Sequence, residues 1–170
     1  MPLFAPTAAS RIGLALVACA ALAAPHLAAA ATEPEPGYAW RVAKPHGKVS
    51  LIYGSTEDID HDSFFLFCDN GKKTDELSIY EEIRGAEAGQ PLTIEISAGS
   101  AKIGLKGETA EDDMSGWIIP QAKAFAVKPV LAVLKGAGPL TVTAGEAKLT
   151  LPEQGRAAAV SQFASICTLD

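Results

Sequence analysis

The chain has 170 residues, 48% of them hydrophobic, and its 20 acidic residues outnumber the 14 lysines and arginines to leave a net charge of −6. That length suits one modest domain with one core. The acidic balance, with no basic run longer than Lys72-Lys73, argues against the phosphate-neutralising surface that nucleic acids or anionic membranes require.

Residues 1–11 carry a single charge, Arg11, and residues 12–24 are an apolar, alanine-rich run. The run is short of the roughly 20 strongly apolar residues that span a bilayer. Pro25 and His26 interrupt it, and Ala29-Ala30-Ala31 offers the small-x-small pattern of a signal peptidase site. Residues 1–31 therefore read as a secretion signal, 32–37 (Thr-Glu-Pro-Glu-Pro-Gly) as a flexible linker, and 38–170 as a single β-rich domain. A rival reading lies in the same segment. Leu16-Val17-Ala18-Cys19 resembles a lipobox, and acylation of Cys19 would anchor the domain to a membrane. Alanine-rich sequence continues past Cys19, which favours release. The expected location is the periplasm or the exterior, with a membrane-anchored lipoprotein as the alternative and no transmembrane span in the mature chain.

Cleavage after Ala31 leaves Cys68 and Cys167. Two cysteines in a small exported domain read as a disulfide, here closing a loop of about a hundred residues.

Short strands separated by turn residues follow in order. Residues 38–42 alternate two aromatics, and 48–53 set Val49, Leu51 and Tyr53 against Lys48, Ser50 and Ile52 with a period of two. Residues 63–68, Ser-Phe-Phe-Leu-Phe-Cys, are apolar on both faces, as a central strand covered on both sides would be. Asn70-Gly71 is a favoured hairpin turn, and 76–80 returns. A second hairpin joins 91–97 to 102–106 across Gly99-Ser100, and 116–119 carries Trp117 into the core or onto its rim. Pro129 at a first helical position, Val130 to Leu134 and Gly136 describe a two-turn helix. A third hairpin pairs 140–143 with 147–151. Val160, Phe163, Ala164 and Cys167 then fall at i, i+3, i+4 and i+7, the stripe of an amphipathic terminal helix. The expected fold is mostly β with a C-terminal helix: an antiparallel β-sandwich or partly open barrel of about seven to nine strands, with one short internal helix and one disulfide.

A strand ending in Cys68, Trp117, and a closing Gly155-x₇-Phe163-x₃-Cys167 helix together resemble small exported bacterial domains of the type VI secretion-associated TagO kind. That resemblance implies an accessory role rather than a particular activity. The Thr-Pro-Tyr-Gly segment expected before the last strand is absent.

Chemistry-bearing patterns are few. Asp58, Asp60, Asp62 and Asp69 fall at positions 1, 3, 5 and 12 of a calcium-loop spacing, although Ser63 replaces the glycine wanted at position 6. Hard oxygen donors at that spacing suit calcium; a solvated acidic loop is the plainer reading. After the expected cleavage, His46 and His61 are too few for a zinc site, and Met114 as the one remaining methionine gives little for copper. No Gly-x-Ser-x-Gly, phosphate loop or dinucleotide fingerprint occurs, and the carboxylates at 81–82 and 111–113 lie in turn-like sequence. These observations lead to three expectations: a non-enzymatic binding or accessory domain for a protein or envelope component, its contacts in the acidic loops 57–62 and 111–113; a calcium- or other metal-dependent protein using 57–69; and an inhibitor of a cell-wall hydrolase.

Overall fold

Alternating side chains on short strands give a sheet one apolar and one mixed face, and that alternation organises the whole chain. The computed structural model describes residues 32–44, 48–58, 61–68 and 75–167. The expected signal segment, Cys19 and the Asn70-Gly71 turn lie outside these residues. Among the described residues are nine strands, β1 (Tyr38–Ala43), β2 (Val49–Ser55), β3 (Asp62–Cys68), β4 (Glu76–Ile79), β5 (Pro91–Ala98), β6 (Ala101–Glu111), β7 (Ile118–Lys123), β8 (Leu140–Ala144) and β9 (Ala147–Leu151). Two helices, α1 (Val127–Leu134) and α2 (Arg156–Ile166), complete them. All strands join one antiparallel sheet in the order β1-β2-β3-β4-β7-β6-β5-β8-β9, curled into a half-barrel. Of the two architectures expected from sequence, it is the partly open barrel that forms.

Both helices lie on the inner face. Leu51, Phe64, Leu66, Leu77, Ile94, Ile96 and Leu140 project there from five strands and share one core with Val130 and Leu134 of α1 and Val160 and Phe163 of α2. Each such side chain contributes about 1.5–3 kcal/mol by leaving water. The stripe expected on α2 faces this core, with Ala164 half-buried at its margin. At the open side, Trp40 of edge strand β1 packs between Tyr53 and Phe64, at centroid distances of 5.3 and 5.4 Å. Its indole N–H donates to the Pro152 carbonyl just beyond the opposite edge strand, at 2.8 Å. One side chain thus links the two margins of the sheet.

Helix α2 is held at both ends. Cys167 bonds to Cys68 at the end of β3, with Cα atoms 6.0 Å apart and both residues buried. At the other end Arg156, only 1% exposed, sends its guanidinium to the carbonyls of Leu134 (2.9 Å), Gly136 (2.5 Å) and Gly138 (2.8 Å). These oxygens belong to the C-terminus of α1 and the turn after it, where the helix dipole favours a cation. Burial pulls the guanidinium below its ordinary range, and nearby Glu153 partly opposes that. Arginine remains charged at any workable pH.

Several boundaries differ from expectation for identifiable reasons. Pro129 stands third in α1 rather than first; the first-turn N–H groups have no intrahelical partner, so proline is tolerated there. Strand β7 continues through Pro120 to Lys123, and its pairing with β4 covers only Gln121 to Lys123. Proline has no N–H to donate, and the ladder to β4 ends beside it; Ile83 takes up the Ile118 carbonyl at 2.8 Å instead. Strand β3 is interior, but only one face is fully covered. Phe64, Leu66 and Cys68 are buried, whereas Phe65 and Phe67 are half-buried on the outer face with their rings stacked.

Two measurements test this anchoring. Replacing both Cys68 and Cys167 by serine is expected to lower the unfolding free energy by about 2–5 kcal/mol, read by urea denaturation, with reductant having no further effect on the variant. Arg156→Met strands three carbonyls and is expected to cost about 3 kcal/mol or more in the same assay.

Candidate functional site: an outer-face groove between two acidic loops

Register alone sets the floor of the site. Arg41 of β1 stands opposite Ile52 of β2, Ile52 opposite Phe65 of β3, Phe65 opposite Ser78 of β4, and Ser78 opposite Gln121 of β7. The pleat places this row on the outer face, away from the helices. Arg41, Ile52 and Phe65 of this row line the groove; beyond it, the Gln121 side-chain amide donates to Glu76 Oε1 at 2.9 Å and to Ser78 Oγ at 3.2 Å.

A bulge shapes the first wall. Tyr53 pairs with Phe64 but Gly54 with Asp62, leaving Ser63 as the extra residue. Asp62 leans over Gly54, whose missing Cβ leaves the space that the Asp62 side chain occupies. From there it reaches across β2 to Arg41 on β1, Oδ1 to Nη2 at 2.5 Å, with the two side chains 14% and 26% exposed. The loop before it is braced locally. Ser55 Oγ accepts from the N–H groups of Glu57 and Asp58 at 3.2 and 3.0 Å, and His61 Nδ1 lies 2.9 Å from Asp58 Oδ2.

The second wall is the turn between β6 and β7. Asp112 Oδ2 accepts from the Ser115 N–H at 2.8 Å and its hydroxyl at 2.6 Å. The Asp112 N–H donates to the Trp117 carbonyl, and Gly116 closes the turn with a φ of 70°, a conformation natural to glycine. This rigid turn holds up Met114 and Trp117, 75% and 46% exposed. Trp117 therefore sits on a rim, one of the two places its sequence position allowed.

Between the walls lies a groove of about 840 Å³, also lined by Tyr38, Ala43, His61 and Tyr80. Its size falls within the ~300–1,000 Å³ of ligand clefts. The Tyr80 phenol is pushed above its ordinary pKa, first by burial and then by the negative charges of Asp112, Asp62 and Glu76. The groove thus has an aromatic and aliphatic floor and an acidic surround.

Of the residues that the calcium spacing singled out, Asp58 and Asp62 are described, and Asp60 and Asp69 lie outside the described residues. Asp58 partners His61 and Asp62 partners Arg41, while Asp62–Cys68 is extended rather than curled. Among the described residues no group of three or more His, Cys, Asp or Glu side chains is arranged to hold a metal ion. What the structure does bring together is the two acidic loops, far apart in sequence, at one groove. Arg41, Gly54, Phe65 and Tyr80 had no place in the sequence reading of a site; the one available cue was Gly54, a glycine closing a strand of alternating residues. No family model, curated protein or solved structure matches this chain.

The Tyr80 phenol gives a direct readout of the groove's field. A raised phenol pKa means the folded state holds its proton more tightly than the unfolded chain, so this contribution to stability declines as pH rises past about 10. In a variant with Tyr38 and Tyr53 replaced by phenylalanine, phenolate absorbance at 295 nm is expected to show Tyr80 ionising later than a free tyrosine. Asp112→Asn keeps the turn-closing acceptor but removes the charge, and is expected to move that midpoint down.

Proposed function

We propose that this chain is an exported, non-enzymatic binding or accessory domain that receives a protein or cell-envelope component in the outer-face groove. The observation that carries this reading is the meeting of residues 61–63 and the 112–117 turn on one apolar cleft, with Trp117 and Met114 exposed at its rim. Exposed aromatic and methionine side chains beside polar rims are the usual makings of a contact surface. A groove borne on a sheet with a bridged core is already shaped before its ligand arrives, which limits the ordering cost of binding. The Cys68–Cys167 bridge supports an oxidising compartment, such as the periplasm or the exterior. An accessory role of this kind accords with the TagO-like layout of Cys68, Trp117 and the closing helix.

A photoreactive residue provides the test. With p-benzoylphenylalanine at position 114, irradiation of producing cells is expected to yield a discrete adduct, identified by mass spectrometry. The same residue at Lys148, exposed on β9, is expected to yield none. Equal labelling at both positions, or no adduct at either, would remove the reading.

A further inference from the structure

The apolar floor and the acidic walls together restrict what the groove can hold. Of the charged side chains that line it, Asp62 and Asp112 are anionic and Arg41 is cationic. Arg41 already faces Asp62 at 2.5 Å, so among the described side chains that line the groove the charge left unbalanced is the negative one of Asp112. An anionic ligand would meet repulsion there. A purely apolar one would leave the Asp112 wall without a counter-charge. A cation set among apolar groups satisfies both, because a guanidinium or ammonium gains from the Asp112 carboxylate and from the faces of Tyr80 and Trp117.

Size and position choose between a small amine and a chain. A cleft of about 840 Å³ is far larger than a lone ammonium group needs. Tyr38, Arg41 and Ala43, which line its side, belong to β1, an edge strand of the sheet. A polypeptide laid along that edge has backbone groups to meet as well as a floor for its side chains. Building on the binding role proposed above, we infer that the groove takes a segment of a partner polypeptide in which lysine or arginine alternates with aromatic or aliphatic residues.

The probe is a random hexapeptide display library selected on the purified, immobilised protein. The expected enrichment is of peptides combining Lys or Arg with Phe, Trp, Leu or Ile. Their binding is expected to weaken about tenfold in Trp117→Ala and about two- to five-fold in Asp112→Asn, and to fall as salt rises. Enrichment of acidic or uncharged peptides that still depend on Trp117 would overturn the charge assignment and leave the binding role standing. Peptides indifferent to both substitutions, or no enrichment, would overturn both. Tetraethylammonium bound as tightly as the selected peptides, and less tightly by Asp112→Asn, would show that the groove reads a free cation and not a chain.

Discussion

A sheet that curls without closing leaves an apolar inner face that something must cover, and in this chain α2 does so while fastened at both ends. The Cys68–Cys167 bond ties its last turn to β3, and Arg156 ties its first turn to the carbonyls that end α1. Neither fastening is interchangeable with ordinary packing. A methionine at 156 would fill the space but leave three carbonyls unanswered, and a buried acceptor without a donor costs more than a neutral pair contributes. With α2 seated, Trp40 can reach Pro152 and bring the margins of the sheet together. The outer face then rests on a floor whose curvature is set from inside.

That dependence explains why the groove is made of small geometrical concessions. Gly54 omits a side chain so that Asp62 can cross β2, and Ser63 is spent on a bulge so that Asp62 faces the right way. Gly116 adopts a left-handed conformation so that Asp112 can close its turn. Each involves a residue type with nothing reactive about it. Together they set two loops, about fifty residues apart in sequence, around Phe65 and Tyr80.

Much of the fold was legible in the sequence because its signals are local. The alternation of Val49, Leu51 and Tyr53, the turn at Gly99-Ser100 and the spacing of Val160, Phe163 and Cys167 each report on a few neighbouring residues. The bridge was legible because only two cysteines follow the expected cleavage point. Strand order was not, since β7 joins β4 and β8 joins β5 only through pairings distant in sequence. Pro120 also disguised half of β7, and the length of β6, running to Glu111, exceeded what its apolar pattern suggests. Of the groove, the acidic loops and Trp117 were visible as separate features. Their union was not, because it depends on a cross-strand row and a bulge that no local pattern encodes. Arg156 shows the limit most plainly: a charged residue at the head of an apolar stripe reads as solvent-facing, and only the carbonyls of α1 give it a reason to be inside.

The distance between the two bridged cysteines has a consequence for the order in which the molecule can be completed. A chain made from its N-terminus finishes β3 ninety-nine residues before Cys167 exists. For about half of that interval the first four strands lack β7, the neighbour that covers the exposed side of β4, and for all of it they lack a completed α2. Pairings of such long range form slowly and leave strand edges uncovered meanwhile. Maturation is therefore an event that follows synthesis, since the bond that fastens α2 cannot form until Cys167 has been made. Helix α2 and the cysteine that follows it decide when the fold is complete.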